Sequence, residues 1–167
     1  IKAQEHQLIK LWQTDTLLKT PESVLFNSRN NFLYVSNING ASDAKDGNGS
    51  IGKIGLDGKI ITVDWVKGLN APKGMGLYNG KLWVADLDEV VEINTATAAI
   101  EKRIPVKGST FLNDIAIDGK GVVYVSDTRI KKVYSIENDQ VNVFLSDLKG
   151  PNGLFVVGDD LYILDNG

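Results

Sequence analysis

Four copies of one short pattern predict an all-β fold of repeated antiparallel sheets. In each copy a polar residue opens a short apolar strand, a tight turn follows, and a second apolar strand ends at Asp or Asn. The copies begin at Glu22, Lys73, Asn113 and Asn152, so the repeat is about forty residues long in the last two intervals. A repeat of this length, made of strand-length apolar runs, is typical of one blade of a β-propeller. The sequence therefore predicts a β-propeller of four-stranded antiparallel blades.

The predicted blades follow one another without a linker. Blade one covers residues 21–70, blade two 71–110 and blade three 111–149, and residues 150–167 hold the first two strands of a fourth blade. Blade one is longer because a segment rich in Gly, Asn and Asp, residues 37–50, separates its second and third strands. This composition predicts a surface loop.

Three and a half blades do not close a ring, because propellers have 4 to 8 blades. We therefore interpret residues 1–167 as an incomplete propeller domain, and we expect the missing blades to come from the remainder of the chain or from a second chain. Before the first repeat, residues 5–20 contain an apolar stretch at Gln7–Gln13. We interpret it as a strand that closes the last blade, with a frayed terminal segment as the alternative.

Composition limits the classes of partner. The chain has 167 residues, 43% of them hydrophobic and 23% charged, as expected for a folded domain. Its net charge of -3, without a basic patch, predicts no nucleic-acid partner and no anionic membrane surface, and its apolar runs are too short to span a bilayer. Cysteine is absent, which excludes thiol chemistry. The first residue, Ile, fits a processed end or an arbitrary boundary, so a periplasmic or secreted location is slightly favoured over a cytoplasmic one.

The four opening polar residues share one repeat position and are expected to converge at one mouth of the central channel. Convergent polar groups in a concave mouth are the default ligand site. Glu22 and the two asparagines, Asn113 and Asn152, supply the hard oxygen atoms that Ca²⁺ or Mg²⁺ prefers. Lys73 adds a positive charge at the same place. The alternative is that these residues only cap turns.

Two further sets recur with the same phase. The residues that end the second strands are expected to accept backbone N–H bonds in the turns that follow; they are Asn37, Asp86, Asp127 and Asp165. The aromatic residues of the second strands are expected to pack between blades rather than to form a carbohydrate platform; they are Tyr34, Trp83, Tyr124 and Tyr162.

A near match to a phosphate-binding loop at residues 47–54 lacks its final Ser or Thr and a following helix, so nucleotide binding is the weakest of our interpretations.

Three of these motifs resemble those of the senescence-marker-protein/gluconolactonase family, the regucalcin-like lactone hydrolases. Pro21-Glu22-Ser23-Val24 is similar to the family's opening Glu-Ser-Pro-Val-Trp, and Phe111-Leu112-Asn113-Asp114 to its Arg-x-Asn-Asp. Pro151-Asn152-Gly153-Leu154 is similar to its Asn-Gly-Leu. The similarity extends over about residues 20–167, and it implies the first half or so of a six-bladed propeller.

The resemblance implies a metal-dependent hydrolase of small lactones or related esters. Glu22 and Asn152 would bind the divalent cation, Ca²⁺ or Mg²⁺. We assign Asn113 and Lys73 to binding of the small-molecule substrate, and Asp114 to catalysis as the acceptor of a proton from water. The chain departs from the family at Phe111, where the family has Arg, and it does not contain the later blade that carries the family's ligand Asp. The alternative function is a non-catalytic propeller that binds a small ligand or a protein partner at the channel mouth.

Overall fold

The computed structural model describes residues 7–166, which form fourteen β-strands arranged as a partial β-propeller. Blade one contains β1 (Pro21–Asn27), β2 (Phe32–Asn37), β3 (Gly49–Gly55) and β4 (Ile60–Leu69). Blade two contains β5 (Pro72–Tyr78), β6 (Lys81–Asp86), β7 (Glu89–Asn94) and β8 (Ile100–Pro105). Blade three contains β9 (Leu112–Ile117), β10 (Val123–Asp127), β11 (Lys132–Glu137) and β12 (Gln140–Leu145). A two-stranded sheet of β13 (Pro151–Val157) and β14 (Asp160–Asp165) begins blade four.

Each sheet is a simple antiparallel meander in chain order. The predicted all-β architecture of four-stranded blades is therefore confirmed. Across residues 7–166 there is no helix long and apolar enough to cross a membrane.

The hydrophobic core lies between successive blades. The predicted packing role of the recurrent aromatic residues is confirmed for the first three blades: Tyr34 packs in the cluster between blades one and two, Trp83 against the cluster between blades two and three, and Tyr124 against the cluster between blades three and four. Tyr162 remains 58% exposed, because the described chain has no further blade beside it. Close approach of the inner strands explains Gly76, since a Cβ atom there would overlap the side chains of Ile115 and Ile117 on β9.

Carboxylates at the ends of the second strands of blades two, three and four accept backbone hydrogen bonds within their own blade. Asp86 accepts hydrogen bonds from the backbone amides of Asn70 and Ala71, and Asp165 from those of Lys149 and Gly150. These amides lie in the segment that leads into the inner strand of the same blade. The prediction of backbone acceptors is thus confirmed for the three aspartates, although their donors lie mainly in the preceding segment rather than in the following turn, and it is wrong for Asn37.

Among the residues that end the second strands, Asp127 accepts hydrogen bonds from five donors, whereas the side-chain oxygen of Asn37 accepts none from the described residues. Asp127 accepts bonds both from the preceding segment and from the following turn; its donors are the Ser109 hydroxyl and the amides of Thr110, Phe111, Arg129 and Ile130. Asn37 instead donates its side-chain N–H to the carbonyl of Val63. Its side-chain oxygen is buried and has no partner among the described residues.

The predicted closing strand at Gln7–Gln13 is not formed within the described residues, and the last blade that it would close is not among them. Residues 7–15 form no strand, and residues 5 and 6 of the predicted segment lie outside the described residues. In the structure the segment runs over the β3–β4 hairpin of blade one. Trp12 covers Gly58 in that turn, and Leu8 and Leu11 are exposed.

Candidate functional site

Every inner strand opens with a β-bulge, and the four opening polar residues lie in these bulges. In blade one, Pro21 pairs with Asn37 and Ser23 pairs with Ser36, so β1 contains one more residue than β2 between these two pairs. The other three inner strands contain one extra residue in the same place. Two residues therefore face one on the second strand: Glu22 and Ser23, Lys73 and Gly74, Asn113 and Asp114, Asn152 and Gly153. A bulge breaks the strict alternation of side chains, so both members of a pair can line the channel.

The bulges of all four blades contribute to one small pocket at the channel mouth. This mouth pocket has a volume of about 190 Å³ and is lined by Glu22, Ser23, Gly74, Asn113, Asp114 and Asn152. The structure thus brings together four of the five predicted site residues. Gly74 is required here, because a Cβ atom at this position would overlap the carboxylate and backbone of Asp114.

Asp114 is a half-buried carboxylate held between two neighbouring blades. One carboxylate oxygen accepts a hydrogen bond of 2.8 Å from the amide of Ile115, and the other accepts one of 2.7 Å from the amide of Leu154 in blade four. Burial raises the pKa of Asp114, and these two hydrogen bonds oppose the rise in pKa. The carboxyl is therefore fixed in position, and it takes up a proton more readily than an ordinary aspartate.

Glu22 lies at the open rim of the mouth pocket. Its residue surface is exposed, yet the walls of the pocket reduce its hydration enough to raise the pKa of its carboxyl. The Lys73 ammonium lowers the pKa of Glu22, and the like charge of Asp114 raises it further. Because two carboxyl groups of like charge lie beside one pocket, a positive charge bound there is favourable.

Lys73 occupies the equivalent bulge but turns away from the pocket. The residue is 2% exposed, and its ammonium group donates to the carbonyl of Ala71 and to that of Ser42, both at 3.0 Å. Burial lowers the pKa of Lys73, while the charge of Glu22 raises it. Its ammonium also lies 4.4 Å from the centroid of the Phe111 ring. Lys73 therefore adds positive potential beside the pocket without lining it.

Ser126 supports the pocket from behind and was not predicted from the sequence. Its buried hydroxyl accepts a hydrogen bond from the amide of Asp114 and donates one of 2.7 Å to the carbonyl of Asn152. It thus joins two site strands. Ser36 takes the same place in blade one, where it bonds Ser23. The recurrence of Ser immediately before Asn37 and Asp127 was a signal in the sequence, although Ala85 and Leu164 interrupt it in the other blades.

The donor atoms at the mouth pocket suit a hard divalent cation in kind but supply few charges. Within residues 7–166 no three side chains of His, Cys, Asp or Glu form a metal-binding group. The pocket offers the Glu22 carboxylate, the amide oxygens of Asn113 and Asn152, and the Asp114 carboxylate, which is already engaged by two backbone amides. Such oxygen donors are the ligands of Ca²⁺ and Mg²⁺. The pocket therefore fits part of a coordination shell.

Comparison with known proteins identifies the fold. No protein-family model matches the chain, and no curated protein matches it. Among solved structures, virginiamycin B lyase from Staphylococcus aureus is 15% identical with a TM-score of 0.64, over 85% of this chain and 47% of the lyase. A chain of the nidogen/laminin complex is 20% identical with a TM-score of 0.60, over 78% of this chain and 49% of that one. Luciferin-regenerating enzyme is 17% identical with a TM-score of 0.63, over 86% of this chain and 52% of the enzyme.

These structural neighbours are β-propeller proteins. The chain spans about half the length of each of the three. Other matches are extracellular domains from B. thetaiotaomicron. At these identities the comparison establishes the propeller fold, and it leaves activity to be argued from the site.

Proposed function

We propose that this chain forms part of a metal-dependent hydrolase of small lactones or related esters, with the reaction at the mouth pocket. The observation that carries the proposal is the grouping of Glu22, Asn113, Asp114 and Asn152 in one pocket built from successive blades. The presence of a lyase and a luciferin-regenerating enzyme among the structural neighbours supports chemistry on this fold. The extracellular domains among the matches favour a periplasmic or secreted location.

Glu22 and Asn152 would hold the divalent cation, Ca²⁺ or Mg²⁺, with their side-chain oxygens. When bound, such a cation supplies Lewis acidity, which polarises a carbonyl group and lowers the pKa of water. Because the Glu22 carboxyl has a raised pKa, protons compete with the cation for it. The affinity for the cation should therefore increase as the pH rises above the ordinary pKa of a glutamate side chain, because Glu22 loses its proton in that range.

Asp114 and Asn113 contribute the remaining groups of this chain. Each Asp114 oxygen accepts one backbone N–H bond and keeps a further lone pair, so the carboxylate can take a proton from a water in the pocket. Its raised pKa moves it toward neutral pH, where a general base works best. The Asn113 amide, adjacent in the same bulge, can donate to an oxygen of the substrate. Lys73 contributes positive potential that favours a negatively charged transition state.

The proposal is tested by cation binding and by turnover. In calorimetric titrations of the full chain with Ca²⁺ and with Mg²⁺, Glu22→Gln should reduce affinity by roughly tenfold or more, since it removes the charged ligand. Asp57→Asn, which alters an exposed turn carboxylate in blade one, is the matched control and should leave affinity unchanged. Lactone hydrolysis followed by pH-stat should be lost on addition of chelator. Equal cation affinity in the native chain and in Glu22→Gln would contradict the assignment.

A non-catalytic propeller that binds a ligand or partner at the same mouth is the second candidate. The observation in its favour is that both Asp114 oxygens are engaged by backbone amides, which is what a purely structural carboxylate does. A propeller of the nidogen/laminin complex is among the neighbours. Asp114→Asn separates the two functions: a hydrolase should lose turnover while cation affinity changes much less, whereas a binding protein shows no turnover in either form.

A further inference from the structure

Two cationic side chains, Lys73 and Arg129, contact the aromatic ring of Phe111 beside the mouth pocket. Phe111 precedes the pocket residue Asn113 by two positions, and its ring centroid lies 4.4 Å from the Lys73 ammonium and 4.2 Å from the central carbon of the Arg129 guanidinium. The two cations differ in availability. Lys73 is buried, with its ammonium bound to two carbonyl groups, whereas the side chain of Arg129 is 49% exposed. Of the two, Arg129 can meet a ligand.

The environment of Arg129 prepares it to bind a carboxylate. A guanidinium resting on an aromatic ring keeps the N–H donors at its edges free, and these donors match the two oxygens of a carboxylate. Among the described residues, its guanidinium bonds to Asp43, through one terminal nitrogen at 2.9 Å. The guanidinium is therefore oriented by the Phe111 ring, and only one of its nitrogen atoms donates a hydrogen bond to another described residue.

Asp43 reaches Arg129 from another blade. It lies in the mouth loop, residues 38–48 between β2 and β3, and the loop is fixed to blade two where Lys73 donates to the carbonyl of Ser42 and Lys45 pairs with Asp88 at 2.6 Å. The pair of Asp43 and Arg129 thus spans from blade one to blade three across the mouth. Both side chains are about half exposed, 52% and 49%, and exposed ion pairs of this kind are weak. A competing carboxylate can displace Asp43 at little cost.

We propose that Arg129 is the anchor for a carboxylate-bearing small molecule at the mouth pocket, and that Asp43 occupies this anchor until the carboxylate of the ligand replaces it. Asp43 then acts as an internal mimic of the ligand group. The anchor and the pocket are close, since Arg129 and Lys73 both contact the ring of Phe111, and Gly74, which follows Lys73, lines the pocket. The inference rests on the proposed function in one respect, namely that the mouth pocket is where the ligand binds.

The test measures binding without turnover, on the full chain in the presence of chelator. The probes are γ-butyrolactone and paraconate, which is the same ring carrying a carboxylate. Arg129→Gln should weaken paraconate binding roughly tenfold, as expected for loss of a charge-assisted bond, and should leave the weak binding of γ-butyrolactone unchanged. Asp43→Asn should tighten paraconate binding several-fold, because it frees the anchor. Arg29→Gln, an exposed arginine in the β1–β2 turn, is the control and should change neither.

Paraconate binding that is equally tight in the native chain and in Arg129→Gln would overturn the proposal, and so would weaker binding in Asp43→Asn. Failure of the proposed hydrolase would look different: Ca²⁺ and Mg²⁺ would not bind and neither probe would be hydrolysed, while the preference for paraconate over γ-butyrolactone would still depend on Arg129.

Discussion

At the scale of single residues, two glycines in equivalent bulges have different freedom. A Cβ atom on Gly74 would overlap the backbone and carboxylate of Asp114 and the carbonyl of Asn113, whereas one on Gly153 would find its nearest neighbour, the Cβ of Leu164, at 3.6 Å. The first contact is far too close for carbon, and the second is ordinary van der Waals contact. Neither glycine has a positive φ that would by itself disfavour alanine.

Gly74→Ala should therefore destabilise the chain by about 1–3 kcal/mol, the usual range for overpacking, because blade three must move away from blade two. Gly153→Ala should change the free energy of unfolding by less than about 0.5 kcal/mol, in the range of substitutions without a specific structural cost. Urea unfolding followed by circular dichroism measures both. If the two variants are equally stable, the inner strands are not as close as the structure shows.

The direction of individual side chains could be predicted only in part from the sequence. The positions of Glu22, Asn113 and Asn152 within the repeat were sufficient to predict that they lie at one channel mouth, since equivalent positions on successive blades face the same axis. It was not enough for Lys73, whose ammonium is captured by the carbonyl of Ser42, 31 residues away in the mouth loop. No local pattern contains such a contact. The side chain of Asp114 lines the pocket because of a bulge, and a bulge depends on the register with a partner strand.

At the scale of the blade, Asp86 and Asp127 hold equivalent positions with opposite electrostatic outcomes. Burial raises the pKa of Asp86, and the amides of Asn70 and Ala71 compensate only in part. Burial also acts to raise the pKa of Asp127, but the Ser109 hydroxyl and the surrounding backbone amides outweigh it, so the pKa of Asp127 is lowered. A lowered pKa in the folded state means that ionised Asp127 stabilises the fold above the pKa of the unfolded chain, and that this stabilisation is lost as pH falls.

Asp127→Asn should cost about 2–4 kcal/mol at neutral pH, because an amide nitrogen would face backbone N–H donors and the buried donors would lose a charged acceptor. The cost should shrink below about pH 4, where the carboxyl group of the unfolded chain takes up its proton before that of the folded chain does. For Asp86 the raised pKa reverses the sign, since its stabilising effect is largest below the unfolded pKa and declines as pH rises. Asp86→Asn should therefore cost less than Asp127→Asn at neutral pH. Urea unfolding at neutral and acidic pH measures both, and an Asp127→Asn cost that is independent of pH would contradict this account.

The strands themselves were predictable because turn residues bound every apolar run and because the pattern recurs. Asp57-Gly58 and Asn79-Gly80 form the expected turns, with positive φ at Gly58, Asn79 and Gly80. The closing strand at Gln7–Gln13 stays a prediction, because the last blade that it would complete is not among the described residues. In the structure its Trp12 finds a place on Gly58.

At the scale of the whole molecule, the arc of blades presents an apolar face on blade four. Phe155, Tyr162 and Leu164 are 66%, 58% and 64% exposed, whereas Tyr34, at the same repeat position as Tyr162, is 1% exposed between blades one and two. The outer edge of β14 also has no partner strand in the described chain. Blade faces of this kind are buried wherever another blade follows, so this face has the chemistry of an interior surface.

We therefore expect the chain of 167 residues to self-associate reversibly, because burying this face against another copy removes apolar surface from water. The double substitution Phe155→Lys and Tyr162→Lys should shift the chain toward monomer, since two charges oppose burial of the face. Leu11→Lys is the control: Leu11 is 86% exposed, but it lies in the segment beside blade one, away from this face. Sedimentation equilibrium over a wide range of concentration measures the association. A native chain that stays monomeric throughout, or a double variant that associates as strongly as the control, would show that the exposed face of blade four does not drive assembly.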